Sequence, residues 1–292
     1  NIKIRGFMRR YEGLWIGLVL FLLVVWGSPS NAATALRIQV VGSTTVLPVA
    51  SRSAQKFMES SSSRILVNAG GSGVGIHSVA GGRADIGMAS RGISLEEKKR
   101  FEKSHLKIHP VGLDAVACVV SSEIYESGIR QLTREQIAGI YLGEIRNWQE
   151  VGGPDRQIVV VDKERHRGTR HVFMQYIFGN ASQRTPGTLL VTGSNNEEQA
   201  KIAQSDSAIG MLSFAWINDD VKALALLDRG KEILPTWETV RQGSYPIVRK
   251  LNFITAGEPK NEIKAFIDFV KGPEGQKIVA ESGYIPIESS QP

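Results

Sequence analysis

The 292-residue chain is predicted to be an α/β protein, because strand and helix patterns alternate along most of its length. Three observations carry this prediction: short apolar runs, amphipathic stretches with 3–4 spacing after them, and turns rich in glycine and hydroxyl side chains between the two. Hydrophobic residues make up 42% and charged residues 22%, which is typical of globular proteins. The single cysteine excludes an internal disulfide framework and a zinc site built from cysteines alone.

Residues 1–33 have the pattern of a secretory signal peptide, with four basic residues, an apolar run at 14–26 and small residues before the cleavage site. The run is shorter than the roughly 20 residues of a membrane span, although an uncleaved anchor stays open as the alternative. Cleavage removes four basic residues and one acidic residue, which lowers the formal net charge from +6 to +3. This mild charge gives no case for nucleic-acid binding. We expect a soluble, periplasmic protein.

The first half of the mature chain shows three strand patterns, at 36–41, 64–68 and 84–89. A helix follows the first strand, with Val46, Val49 and Phe57 on one face and Pro48 in its first turn, where proline is tolerated. A short helix up to residue 80 follows the second strand. Ser94 and Glu97 form a capping box, which predicts the start of a charged surface helix.

The second half continues the alternation. Residues 114–120 form a fully apolar strand pattern, and Thr133 with Gln136 forms a second capping box. The remaining predictions are a strand at 157–161 and helices at 168–178, 261–271 and 273–282.

The chain contains one weak internal echo. Residues 71–90 combine a Gly-Ser turn, a helix pattern and the strand ADIGMAS, and residues 193–213 combine a Gly-Ser turn, a helix pattern and the strand SAIGMLS. Two similar lobes would explain the echo, and chance similarity between short glycine-rich stretches remains the alternative.

Three turns, at 42–45, 70–73 and 167–169, each follow a strand and open a helix. A helix N-terminus presents unpaired N–H groups and a partial positive charge, and glycine and hydroxyl residues make it suitable for an anion. The alternative is that these residues only cap their helices. Parallel strands would bring the turns to one edge of a sheet. Because neither nucleotide-binding glycine motif occurs, we expect the anion to be small.

The third turn is surrounded by cations that would reinforce an anion site, unless they form a solvated basic loop. They are Lys163, Arg165, His166, Arg167 and Arg170.

Asp85 is the unexpected residue near these turns, because a carboxylate repels an anion unless the anion carries a proton. Hydrogen phosphate carries one near neutral pH and sulfate does not, so Asp85 in the site would select phosphate over sulfate. The alternative is that Asp85 pairs with Arg83 or Arg91.

At these residues the chain resembles the periplasmic phosphate-binding proteins of ABC transporters, which have the two-lobed type II periplasmic binding protein fold with the ligand cleft between the lobes. The resemblance covers nearly the whole mature chain, and its motifs are specific in combination. They are GSTTVLP (42–48), GGSGVG (70–75), ADIGMASR (84–91), LTREQIAGIYLGEIRNWQEVGG (132–153), RGTR (167–170), AIGMLSF (208–214) and AFIDFVKGPEGQKIVAESGYIPI (265–287).

The resemblance implies one lobe from residues 34–115 plus 250–292 and a second from 116–249, with crossings near 113–118 and 246–253. It implies that phosphate binds in the cleft and is delivered to a membrane permease by a monomer. The residues implied to bind phosphate are Thr44, Thr45, Val46, Ser72, Asp85, Gly168 and Thr169.

The sequence departs from the family pattern before the last of these helices. Lys163 stands where the family has arginine, and Arg167 stands where it has serine. Either Arg167 supplies the guanidinium from a neighbouring position, or the site has changed its affinity or its ligand. Another oxyanion, such as sulfate, molybdate or phosphonate, and a sensor role on the same fold therefore stay open.

An enzyme is the remaining class to weigh, and the sequence disfavours it. Ser72, His77 and Asp85 could be drawn as a catalytic triad, but no G-x-S-x-G elbow and no H-E-x-x-H motif is present. Cys118 lies in an apolar strand pattern and reads as a core residue. We expect a binding protein without cofactor or metal.

Overall fold

The computed structural model of the chain describes residues 36–228 and 230–287. The predicted signal peptide, residues 1–33, lies outside the described residues. Within the described part of the chain, no helix combines the length and the apolar character that a membrane crossing requires.

The described residues alternate strands and helices, which confirms the predicted α/β class. The strands are β1 (Arg37–Gly42), β2 (Arg64–Ala69), β3 (Ile86–Ala89), β4 (Leu106–Ser121), β5 (Gln131–Thr133), β6 (Val159–Lys163), β7 (Thr188–Thr192), β8 (Ala208–Ser213), β9 (Val221–Ala223), β10 (Ala225–Asp228), β11 (Lys231–Ile233) and β12 (Val248–Ala256). The α-helices are α1 (Leu47–Met58), α2 (Ser72–Ala80), α3 (Leu95–Arg100), α4 (Ser122–Glu126), α5 (Arg134–Leu142), α6 (Gly168–Phe178), α7 (Asn195–Ala203), α8 (Trp237–Arg241), α9 (Asn261–Lys271) and α10 (Pro273–Glu281).

One sheet contains nine strands, in the order β2-β1-β3-β12-β4-β8-β6-β7, with β9 paired to β4 beside this path. Strand β4 is 16 residues long and changes partner along its length. Its residues 106–115 pair with β12, and its residues 116–120 pair with β8. β4 thus connects the half of the sheet that contains β1, β2 and β3 with the half that contains β6, β7 and β8. The exact lobe limits, 34–115 plus 250–292 and 116–249, stay a prediction.

Each end of the long sheet has its own hydrophobic core. Val40, Phe253 and Phe266 belong to a cluster packed around α1, α9 and α10. Trp148 and Phe173 belong to a second cluster around α5 and α6. Burial of these large side chains supplies the main stabilisation of each end.

Both predicted capping boxes are present and fix the start of a helix. The Ser94 hydroxyl accepts a hydrogen bond from the Glu97 N–H before α3, and the Thr133 hydroxyl accepts one from the Gln136 N–H before α5. In each box the side chain of Glu97 or Gln136 also accepts a hydrogen bond from the backbone N–H of the capping residue. Each box therefore pairs two N–H groups that have no acceptor within the helix.

The strand order brings four helix N-termini together. β1 runs parallel to β2 and β3, and β6 runs parallel to β7 and β8. Helices α1, α2, α6 and α7 begin directly after β1, β2, β6 and β7. β12 and β4 lie between these two parallel groups, so the groups run in opposite directions and their carboxyl ends face each other where β4 passes from β12 to β8. Polar residues of the turns converge at this junction, where Asn195 contacts Thr45.

Candidate anion-binding site

A cluster of buried polar side chains lies at this junction. Each member is at most 5% exposed, and hydrogen bonds link the members to one another. We call this group the polar cluster; it consists of Ser43, Thr45, Ser72, Ser90, Asp114, Thr169, Asn195, Ser213 and Arg249. Burying so many polar groups is costly unless they are paired, so their concentration at one point indicates a binding function.

Arg249 lies at the centre of the polar cluster. Its Nη1 donates to Thr169 Oγ1 at 3.0 Å and to Ser90 Oγ at 3.3 Å, and its Nη2 donates to Thr45 Oγ1 at 3.3 Å. Residues from three distant parts of the chain therefore surround one guanidinium group. A planar guanidinium with several fixed donors is well suited to an oxyanion.

Asp114 holds this guanidinium in place. The two residues are directly opposite in the β4–β12 ladder, and Asp114 Oδ2 accepts hydrogen bonds from Arg249 Nε at 2.9 Å and Nη2 at 2.7 Å. Ser213 Oγ donates to Asp114 Oδ1 at 2.9 Å. Burial raises the pKa of the Asp114 carboxyl, while the Arg249 charge and the bond from Ser213 oppose this change. The carboxylate orients Arg249 from behind, and the two Nη atoms face the hydroxyl groups.

Two helix N-termini close over the same hydroxyl groups. Ser72 is the first residue of α2 and Gly168 is the first residue of α6. A Cβ atom on Gly168 would lie 2.3 Å from Ser72 Oγ and 2.4 Å from Ser90 Oγ, so only glycine permits this approach. The first-turn N–H groups of both helices lack acceptors within their helix and carry partial positive charge. Hydroxyl groups, N–H dipoles and a guanidinium therefore converge on one place.

The structure brings four of the sequence-predicted residues into this arrangement: Thr45, Ser72, Gly168 and Thr169. Thr44 lies next to Thr45 and is half-buried. Val46 is fully buried, and its N–H donates to the Ser43 carbonyl oxygen at 3.1 Å. The Val46 N–H is therefore already paired in this arrangement.

Asp85 lies apart from the polar cluster, although the sequence predicts it beside the ligand. It precedes β3, whereas Ser90 follows β3, so the two residues are about 16 Å apart along the strand direction at roughly 3.3 Å per residue. The Asp85 carboxylate accepts a hydrogen bond at 2.7 Å from the backbone N–H of Gln39 on β1. It contributes to the junction of β1 and β3, and it pairs with neither Arg83 nor Arg91, since Arg91 pairs with Glu97.

The sequence predicts that Lys163 and Arg167 reinforce an anion site, whereas in the structure both are paired with carboxylates. The Lys163 ammonium forms a fully buried ion pair with Glu198 and donates to the Ser194 carbonyl oxygen at 3.1 Å. Burial lowers the pKa of Lys163 and raises that of Glu198, and each charge opposes the shift of the other. Arg167 donates to Glu164 Oε2 from Nε at 2.8 Å and from Nη2 at 2.5 Å. Carboxylates thus pair with both cations, and the guanidinium inside the polar cluster belongs to Arg249.

Sequence reasoning missed Ser90, Asp114, Asn195, Ser213 and Arg249 as members of the site. Two signals were available. The internal echo aligns Ser90, which directly follows β3, with Ser213, which ends β8, and both serines belong to the polar cluster. In addition, Asp114 is a charged residue at the start of the apolar run 114–120, which indicates a buried pair.

The described residues contain no group of three or more histidine, cysteine, aspartate or glutamate side chains placed to hold a metal ion. Cys118 is fully buried in β4, and burial raises the pKa of its thiol far above the usual value. Such a thiol is unreactive at neutral pH, because the nucleophile is the thiolate.

Residues 27–274 match the family model described as the PBP superfamily domain. The chain belongs to this superfamily. The resemblance to its phosphate-binding members, drawn from the sequence motifs, is confirmed. The PBP superfamily assignment also agrees with the α/β architecture and the convergence of helix N-termini described above.

Relatives within the PBP superfamily cover most of the chain. It is 33% identical over 250 residues to the phosphate-binding protein PstS of Bacillus subtilis, covering 85% of this chain and 80% of the relative. A solved structure of a phosphate ABC transporter substrate-binding protein from Clostridium perfringens, which contains bound phosphate, is 32% identical with a TM-score of 0.77 and covers 86% of this chain and all of that chain. An ABC-type phosphate transport receptor from Vibrio cholerae is 30% identical with a TM-score of 0.69, over 86% of this chain and all of that chain.

Proposed function

We propose that this chain is an extracytoplasmic solute-binding protein that captures inorganic phosphate in the polar cluster and delivers it to an ABC transporter. The observation that carries the proposal is the guanidinium of Arg249 among the buried hydroxyl groups of Thr45, Ser90 and Thr169. The similarity to phosphate-binding proteins of Bacillus subtilis and Clostridium perfringens supports the choice of ligand.

Binding exchanges internal hydrogen bonds for bonds to the ligand. The Arg249 Nη atoms now donate to hydroxyl groups, and an incoming phosphate oxygen replaces those acceptors. Each freed hydroxyl then donates to the anion, and the first-turn N–H groups of α2 and α6 add further donors. A hydroxyl can also accept, so Ser72 or Ser90 can accept a hydrogen bond from the P–OH group of hydrogen phosphate.

Contacts across the cleft link binding to closure. The Gly73 N–H donates to the His166 carbonyl oxygen at 3.1 Å, and Asn195 Nδ2 donates to Thr45 Oγ1 at 3.0 Å. These contacts join residues that precede β4 to residues that follow it. A phosphate ion that bridges α2 and α6 binds the closed form better than an open one and shifts the population toward it. The closed form is the one that we expect the permease to recognise.

Another oxyanion, such as sulfate, is the second candidate ligand. The positions of the carboxylates support this candidate, because none of those that the structure describes is free to exclude sulfate from the polar cluster. Asp85 lies outside the polar cluster, and the Asp114 oxygens already accept bonds from Arg249 and Ser213. An ionised carboxylate aimed at the ligand would exclude sulfate, whereas hydroxyl groups accept either ion. Sulfate therefore competes with phosphate more strongly here than it would at a site with such a carboxylate.

The remaining parts of the proposal follow from the family and the sequence. The protein acts as a monomer in the periplasm after cleavage of residues 1–33, it binds without chemical turnover, and it uses no cofactor. Its partner is the membrane permease of an ABC transporter. A phosphate sensor on the same fold would bind the ligand in the same way and differ only in its partner.

Calorimetric titration of the mature chain with phosphate, and then with sulfate, tests the proposal. We expect one phosphate ion per chain and a compaction in small-angle scattering on binding. Incubation with a phosphate ester should release no phosphate. Absence of phosphate binding, or turnover of the ester, would refute the proposed function.

A further inference from the structure

A second concave surface lies outside the polar cluster and is lined by cations. It is a groove of about 800 Å³ between α2, α3 and the loop that joins β3 to α3 on one side, and α6 with the loop before it on the other. We call it the basic groove. Its cationic and histidine residues include His77, Arg83, Arg91, Arg100, Arg165 and His166.

The charges of the basic groove are only partly neutralised. Four arginines line it against two acids, Glu96 and Glu97. Glu97 pairs with Arg91, whereas the side chains of Arg83 and Arg165 are exposed and make no hydrogen bond or ion pair with another described residue. The groove therefore keeps an excess of positive charge in a concave surface, which focuses the potential on an anionic ligand.

Arg91 gives the basic groove a fixed positive charge. This residue is 7% exposed, and its two Nη atoms donate to the Glu97 carboxylate at 2.7 and 2.8 Å. Its Nε is buried and has no hydrogen-bond partner among the described residues. This Nε lies below the accessible surface, so Arg91 contributes its positive charge to the groove rather than a free donor.

The size of the basic groove and the spread of its charges point to an anion longer than a single phosphate. The arginines come from both sides, with Arg83, Arg91 and Arg100 on one and Arg165 on the other. The two sides touch at the floor, where Gly73 meets His166. A short chain of phosphate groups offers anionic oxygens to arginines on both sides, whereas a single phosphate ion fills only a small part of this volume.

We propose that the basic groove binds condensed phosphate, a short linear chain of phosphate groups, separately from the polar cluster. The ligand contacts the exposed guanidinium groups of Arg83 and Arg165 and is attracted by the fixed charge of Arg91. Because it bridges both sides of the cleft, it favours the closed arrangement.

Titration of tripolyphosphate into the chain saturated with inorganic phosphate tests this proposal, since saturation occupies the polar cluster. We expect one binding event that weakens as salt is raised, because its charges are exposed. The double variant Arg83→Gln/Arg165→Gln should lower tripolyphosphate affinity on the order of tenfold and leave inorganic phosphate affinity unchanged. Both side chains lack partners among the residues that the structure describes, so the variant is expected to fold normally.

The matched control is Lys201→Gln/Lys231→Gln, which removes two exposed cations that do not line the groove. It should bind tripolyphosphate as the unchanged chain does. No tripolyphosphate binding to the saturated chain, an unaltered affinity in the arginine variant, or an equal loss in the lysine control would overturn the inference. Failure of inorganic phosphate to bind would instead refute the function proposed for the polar cluster.

Discussion

Replacing Arg249 with methionine separates its role in stability from its role in binding. The substitution leaves Asp114 3% exposed without its cationic partner. Breaking a buried ion pair from one side costs about 3–5 kcal/mol of unfolding free energy. We therefore expect Arg249→Met to unfold at markedly lower urea concentration and to lose phosphate affinity.

The double variant Arg249→Met/Asp114→Leu removes both charges and replaces them with apolar side chains. Such a replacement is often neutral or stabilising, so most of the lost stability should return. Phosphate affinity should not return, because the only guanidinium of the polar cluster is gone. Each charge-assisted hydrogen bond contributes about 1.5–3 kcal/mol, so loss of one or two such bonds to phosphate lowers affinity on the order of a hundredfold.

A second buried pair provides the matched control. Arg170 Nε and Asp162 Oδ1 are 3.0 Å apart, and both side chains are at most 4% exposed, yet neither residue belongs to the polar cluster. Arg170→Met/Asp162→Leu should keep phosphate affinity within a few-fold of the unchanged chain. Urea unfolding and calorimetry are the assays. A folded Arg249→Met/Asp114→Leu protein that binds phosphate normally would refute the reasoning.

Three further predictions concern single residues. Asp85→Asn should leave phosphate affinity and the preference over sulfate unchanged in calorimetry, because the amide oxygen can still accept the Gln39 N–H bond outside the polar cluster; a relaxed exclusion of sulfate would return Asp85 to the site. Gly168→Ala should weaken phosphate binding strongly, because its Cβ would clash with two cluster serines, whereas Gly92→Ala, with open space around it, should bind normally; equal affinity in both variants would contradict the close approach of α6. Burial, aided by the charge of Arg91, lowers the pKa of His171 from 6.5 to about 4, so the unfolded chain takes up its proton first and His171 makes stability fall as pH drops from 6.5 toward 4; thermal unfolding of His171→Gln should show a shallower loss over this range, and an identical pH profile would count against it.

The elements of the fold were predictable because each has a local cause. Hydrophobic periodicity predicted α1, and two capping boxes marked the starts of α3 and α5. The full length of β4 was not predictable in this way. Its first half contains Lys107, His109 and Pro110, which break the apolar pattern, and its pairing with β12 depends on residues some 140 positions away in the chain.

The site was predictable only in part, for a similar reason. The glycine- and hydroxyl-rich composition of the turns predicts the site residues Thr45, Ser72, Gly168 and Thr169. Arg249 and Asp114 lie within strands, and only strand pairing brings them together and toward the turns. Asp85 shows the opposite case: its chemistry suits the ligand, but it lies at the start of β3, five residues before Ser90 at the other end. Position along a strand decides which edge of the sheet a residue can serve.

A crystal structure of the mature chain grown with inorganic phosphate tests the central claim most directly. The account predicts one phosphate ion within hydrogen-bond distance of Arg249 and of the hydroxyl groups of Ser72, Ser90 and Thr169, with Asp85 still bound to the Gln39 N–H. An ion that contacts Asp85, or that binds only outside these residues while Arg249 keeps its present partners, would contradict it.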